Sequence, residues 1–386
     1  MTSMWRGRAA ALTMALAFAA VLGIPSGEAA QRPAPKLADA ARPAAPKEGI
    51  ENGQNTVAIV SGTPAGTYLQ FAYDLSVVLD DVSGNGLRVL PMLGKGGAQN
   101  IRDVLALKGV DMGIAQTTDL ARLKAEEPDL GNRLSYIAKL YNEELHVLAR
   151  QEIRSLADLE GKAVNFSDLG GGTQFVAREL FEKTGVRVRE VNMGQADAIE
   201  KMKSGEIAAT VYVAGKPGPA FARAPRDLGF HFLAAPYGSA FEENYYPAML
   251  EAKDYPGLIA EGQSVETIAV GAILIAYNWP QGSKRYKRLD AFVQAFFDKI
   301  GEFKKAPRHP KWQEVNLAAD VAGWQRFAPA ARILRDAGAQ TASIRPANDA
   351  AALRSDFERF AKERGLTGSS REKMFDQFLR WREGAR

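Results

Sequence analysis

The sequence predicts an α/β fold built on parallel sheets. Three observations carry that expectation. Short β-branched apolar runs alternate along the chain with segments of helical periodicity. Glycine-bearing loops join strand to helix in repeated units, the connection that parallel strands require. The chain has 386 residues, 46% of them hydrophobic, enough to bury the cores of about two domains.

The first residues stand apart from the rest. Arg6 and Arg8 precede an apolar run from Ala9 to Leu22, and Gly23, Pro25 and Gly27 then break the helix. With small residues at Gly27 and Ala29, residues 1–29 read as a secretory signal cleaved after Ala29. The run is shorter than the ~20 residues that span hydrocarbon, and the later run Ile268 to Ala276 is only of strand length. A mature, exported protein is expected. Residues 30–55 are rich in Pro, Ala and charge, the composition of a disordered or polyproline-like linker.

Folded structure is expected from TVAIVSG, Thr56 to Gly62. The next segment sets Tyr68, Leu69, Phe71, Ala72, Leu75, Val78 and Leu79 at amphipathic-helix spacing. The unit recurs as LRVLPML with GKGGAQNIRDVLAL, and as GKAVNFSDL with GGGTQFVARELFEKTG. A further strand, VDMGIAQ, ends at Gln116 and opens onto TTDLARL. Near the far end Leu289, Phe292, Val293, Phe296, Phe297, Ile300 and Phe303 share one helical face, a core-packing stripe.

Composition excludes several functions. Lys+Arg 49 against Asp+Glu 45 leaves a net charge of +4 spread along the chain, which argues against a nucleic-acid partner. Cysteine is absent, and His146, His231 and His309 lie too far apart for a local metal motif. Neither a Walker motif nor a strand-linked GxGxxG is present, so no cofactor or metal is implied. GxSxG is also missing, and the adjacent Glu143 and Glu144 point to opposite faces of a strand. No catalytic constellation is expected.

Loops at the carboxyl ends of parallel strands are where such sheets bind ligands. Helix amino termini there present backbone N–H groups to an anion without any cationic side chain. Gly62 and Gly66 read equally well as tight turns. The run Gly170 to Thr173 points more firmly to binding, because three consecutive glycines cost chain entropy that a plain connection avoids.

The ordered set SGTPAGTYLQFAYDL, GGAQNIRDVLALKGVDMGIAQTTDL, ELHVLARQEIRSLADLEGKAVNFSDLGGGTQ and IEKMKSGEIAATVYVAGKPGPAF resembles the TAXI family. Its members are extracytoplasmic solute receptors of TRAP-type secondary transporters, similar in fold to type II periplasmic binding proteins. The first loop has Pro64, Ala65 and Leu69 where the family is richer in glycine, and Gly96 to Asn100 replaces a familiar GSVEN.

The resemblance implies two α/β lobes joined by crossing strands near Glu144 to Arg150 and Glu266 to Tyr277. Lobe 1 would comprise residues 56–149 and 266–335, lobe 2 residues 150–265, and residues 336–386 a C-terminal helical extension. It also implies a periplasmic monomer that captures a small organic anion, a dicarboxylate or acidic amino acid, for TRAP permease subunits. A sensor or an ABC transporter as the recipient, or an exported hydrolase, are the alternatives.

Hydroxyls, amides and backbone N–H groups orient a small carboxylate in such a cleft. Thr63, Thr67 and Tyr68 in the first loop, Gly97 and Asn100 in the second, and Gln116 are the lobe 1 candidates. Gly171, Gly172, Thr173, Gln174, Tyr212 and Gly215 are those of lobe 2, with Tyr141 beside the hinge. Thr63 and Thr67 read equally as helix caps, and Tyr141 as a structural tyrosine. Lys216 reads as a solvated loop lysine or a counter-charge, and His146 as a hydrogen-bonded core residue.

Overall fold

The computed structural model describes residues 55–64, 66–81, 86–222 and 229–342. The expected signal sequence, nearly all of the expected linker and residues 343–386 of the expected extension lie outside these.

Two similar βαβαβ units build the molecule. The first runs through β1 (Thr56–Val60), α1 (Thr67–Leu79), β2 (Arg88–Met92), α2 (Gly97–Ala106) and β3 (Met112–Gln116). Helices α3 (Thr117–Glu126) and α4 (Leu130–Arg133) then lead into the long β4 (Leu134–Arg150). The second unit comprises β5 (Ala163–Asn165), α5 (Gly172–Thr184), β6 (Arg189–Val191), α6 (Gln195–Lys203) and β7 (Ala209–Ala214). After β8 (Phe230–Phe232) and β9 (Tyr246–Glu251), the long β10 (Ser264–Tyr277) returns to the first lobe. Helices α7 (Lys284–Asp298), α8 (Ile300–Phe303) and α9 (Ala328–Ala342) complete it.

Strand order is β2-β1-β3-β10-β4-β7-β5-β6, with β8 beside β4 and β9 beside β10. Within each unit the strands pair in parallel, β1 with β2 and β3, β5 with β6 and β7. β4 and β10 pair antiparallel with each other and with the unit on either side. They are the two crossing strands. β4 is buried along almost its whole length, as expected of a strand covered on both faces.

The cores change over on these strands. Tyr141 and Ala272 belong to a cluster with Phe71, Phe292 and Trp312, whereas Leu145 and Val270 belong to one with Val164, Val176 and Val211. The change from lobe to lobe therefore falls between Tyr141 and Leu145 on β4 and at Gly271 on β10. The first crossing strand begins ten residues before the segment read from the sequence, at Leu134 rather than Glu144. Apolar content alone did not separate it from an ordinary lobe strand.

The stripe of α7 packs as its periodicity predicts, with Leu289, Phe292, Val293 and Phe296 fully buried. Trp312 closes this core, its ring 4.2 Å from Phe71 and 4.4 Å from Phe303 by centroid. Its indole N–H donates to Asp74 of α1 at 2.8 Å. α9 begins at Ala328 and runs through the boundary expected at residue 336.

Candidate functional site

A cavity of about 50 Å³ lies between the lobes at the carboxyl ends of their parallel strands. It holds roughly three or four water-sized groups. Its lining includes Thr63, Thr67, Tyr68, Gly97 and Gln116 from lobe 1, and Gly171, Gly172, Thr173 and Tyr212 from lobe 2. Nine of the thirteen residues expected from the sequence are thus brought to one place.

Three helices start at this cavity. α1 follows Gly66, α2 follows Gly96 and α5 follows Gly171, and none of these N-cap residues has a side chain to bond the helix. Each start carries a partial positive charge of roughly half a unit, and at α2 the buried Asp119 carboxylate already stands against the Ala98 N–H. Glycine is required for close approach: a β-carbon on Gly97 would lie 2.7 Å from the backbone nitrogen of Gly172. Gly97 also sits at φ +59°, a conformation that other residues seldom adopt. The amino ends of α2 and α5 therefore face each other, one from each lobe.

Side chains complete the wall. Thr67 Oγ1 reaches across to the Gly215 carbonyl at 3.4 Å, and Thr173 Oγ1 accepts from Val213 N–H at 3.1 Å. Gln116 Oε1 is buried without a hydrogen-bond partner and lies against Gly172. Ser167, in the loop after β5, holds a φ of 63° that a non-glycine residue seldom takes. Its N–H donates to Asn165 and its carbonyl accepts from Asn192, so neighbours fix the strained loop. Lys95 and Asp168 complete the lining at the two loops.

The other four of the thirteen lie outside the lining. Asn100 is wholly buried and clamps the second loop, donating to the Ser61 and Ile114 carbonyls and accepting from Gly96 N–H. Tyr141 packs its ring 4.3 Å from Phe71 in the lobe 1 core. Gln174 accepts from Gly170 N–H at 2.7 Å and donates to Glu190, ordering the glycine loop from behind. Gly215 contributes its carbonyl to Thr67 and has no room to spare, since a β-carbon would sit 2.8 Å from the Tyr141 ring. Each is a support for the cavity and not part of its lining.

Lys216 pairs with Glu251 at 2.9 Å and Asp254 at 3.1 Å, away from the cavity. His146 bonds the Tyr255 hydroxyl and the Tyr212 carbonyl, and burial depresses its pKa to about 3, so it stays neutral.

The residue that sequence reasoning passed over is Glu143. It is 2% exposed, lines the cavity, and accepts from Tyr68 Oη at 2.6 Å and Gln116 Nε2 at 3.2 Å, both on Oε2. Burial pushes its pKa to about 8; the two hydrogen bonds lower it, and Glu144 and Asp119 raise it further. Its neighbour Glu144 points the other way, to Lys311 Nζ at 2.5 Å and Lys216 N–H at 3.0 Å. The opposed faces were legible; that one face opens on the cavity between the lobes was not, because the crossing strands fix it.

Fold and cavity together define a two-lobed α/β protein with a cavity between its lobes. The chain belongs to the NMT1-like family, whose model matches residues 59–331. Among solved structures it is similar to a chain described as a periplasmic transporter, at 17% identity over 63% of this chain and 83% of that one, TM-score 0.42. It is also similar to the alkanesulfonate-binding protein SsuA from Xanthomonas axonopodis pv. citri bound to MOPS, at 16% identity, 81% and 95% coverage, and TM-score 0.40. An ancestral arginine-binding protein bound to arginine is similar at 15% identity, 67% and 97% coverage, and TM-score 0.40.

Proposed function

We propose that the protein is an exported solute receptor that captures a small organic anion between its lobes and releases it to a membrane transporter. One observation carries this reading: three helix amino termini, each with a glycine at its N-cap and drawn from both lobes, converge on one cavity. Convergent positive ends, with Lys95 in the same lining, favour a bound anion. Thr67, Thr173 and Tyr212 add polar groups that fix its orientation. The hinge is assigned to residues 142–144 and to Gly271, with residues 56–141 and those after Gly271 in lobe 1, and residues 145–270 in lobe 2. Opening there is a rotation about two strands. A TRAP permease as the recipient, and the TAXI family as the closer relationship, follow from the sequence resemblance.

Binding is tested by titration calorimetry and thermal shift with acetate, succinate, 2-oxoglutarate, aspartate, glutamate and methanesulfonate. The expected result is a one-to-one complex from which the solute is recovered unchanged. At a hundredfold excess over the dissociation constant it stabilises the fold by about 2.7 kcal/mol. Protein prepared from the periplasm should begin near Ala30 or Gln31. Conversion of a solute by the purified protein, or no binding across the panel, overturns the reading.

A further inference from the structure

Glu143 is a carboxyl group at the meeting point of three positive helix ends, in the cleft proposed to hold an anion, and the role assigned to it rests on that reading. Charged and titratable groups face it from several elements. Tyr68 comes from α1, Gln116 from β3, Tyr141 and Glu144 from its own strand, Asp119 from α3 and Tyr212 from β7. Asp168 and Lys95 share the cavity from the two loops. Glu144 is committed to Lys311 and Asp119 to Arg122, at 3.2 Å, so neither cation is available to Glu143. The positive ends of the helices and Lys95 in the loop before α2 are what remains to offset its charge.

A solute carboxylate would draw on those same helix ends. Two anions in a cavity of about 50 Å³ repel strongly at low dielectric, and one of them must lose its charge. The geometry also says where a proton would go. Tyr68 and Gln116 both donate to Oε2, which leaves Oε1 open to the cavity.

We propose that Glu143 exchanges its charge for that of the solute: capture of one carboxylate is accompanied by uptake of one proton onto Glu143 Oε1, which then donates a hydrogen bond to the bound oxyanion. The proton comes from the solvent buffer, whose acid form gives it up as the O–H bond on Oε1 forms. Where Glu143 is ionised, above its titration, it thus holds the positive ends of the empty cleft and yields them when the solute arrives; below it the proton is already in place.

The test is calorimetry of the tightest-binding simple carboxylate of acetate, succinate and 2-oxoglutarate, in buffers of different ionisation enthalpy. At about pH 8.5, where an ionised Glu143 is well populated, uptake should approach one proton per site, and affinity should fall by up to tenfold per pH unit above the Glu143 titration. Glu143→Gln keeps a donor facing the cavity and cannot titrate. Whatever its affinity, its binding should show a flat pH profile and no proton uptake. Wild-type binding without proton uptake overturns the proposal while the anion cleft stands, and that measurement needs no variant to fold. Binding of aspartate but not succinate, abolished in Glu143→Gln, overturns it in favour of an ionised Glu143 pairing with an ammonium group. No binding by any solute overturns the cleft and this proposal together.

Discussion

Asn100 and Glu143 are both buried polar residues beside the same cavity, and their chemistry sorts them into opposite roles. The Asn100 amide spends its donors and acceptor on backbone groups of three segments, so it fixes the loop that precedes α2. Glu143 keeps one oxygen open and carries a titration that the folded state holds out of its ordinary range. The sign of that titration makes a prediction. Between its ordinary value of 4.5 and about 8, folded protein retains a proton on Glu143 that the unfolded chain has lost, so stability falls as pH rises through this window. His146 acts oppositely but only below its ordinary 6.5, where the unfolded chain gains a proton that the buried ring refuses. Lys139, which burial holds at about 8, opposes the fall only from there upward. Between about pH 6.5 and pH 8 the slope therefore belongs to the buried carboxylates, Glu143 throughout and Glu144, pushed to about 7, in the lower part. The melting temperature of solute-free protein should drop across that interval, and Glu143→Gln should remove most of the drop above pH 7. A rising or level melting temperature in wild type would show that Glu143 is ionised throughout.

The segment after α8, RHPKWQEV, ties the crossing strands to lobe 1 through two neighbouring residues. Trp312 fills the aromatic core against Phe71 and Phe303, while Lys311, 2% exposed, pairs with Glu144 on β4 and with Glu314. Removing one partner of a buried pair strands the other charge, a loss of about 3–5 kcal/mol. Lys311→Met should destabilise by that order in urea denaturation, and Glu144→Gln in the same chain should recover a large part of it. If the double variant is no more stable than the single one, the lysine's contribution is packing and not charge. The sequence made the α7 stripe legible because its partners recur every three or four residues. It gave no sign of the Lys311 pair, whose partner lies 167 residues away on another element. Tyr141 read equally as ligand cover and as core for the same reason: an aromatic beside a hinge has the same local sequence whether it faces a ligand or Phe71.

At the scale of the molecule, the repeated strand, glycine loop and helix were enough to read the α/β lobes and to bring nine of thirteen candidate residues to one cavity. What local sequence could not convey was how closely the lobes approach, which is set by the crossing strands. That approach makes Gly172 a sensitive position. Its backbone has no positive φ, and the atoms nearest to an added β-carbon all belong to Gln116 of the other lobe, the first at 2.6 Å. A side chain at this position thus opposes closure while leaving lobe 2 undisturbed. Closing the cleft brings the amino ends of α2 and α5 together, a repulsion that a bound anion offsets, so solute should shift wild type toward the compact form. Small-angle scattering should record a smaller radius of gyration when the best solute of the panel is added. Gly172→Val should melt at the wild-type temperature without solute, remain extended when it is present, and bind about thirtyfold more weakly, the equivalent of one charge-assisted hydrogen bond at roughly 2 kcal/mol. Compaction of the variant to the wild-type radius, with unchanged affinity, would place the solute somewhere other than between Gly97 and Gly172.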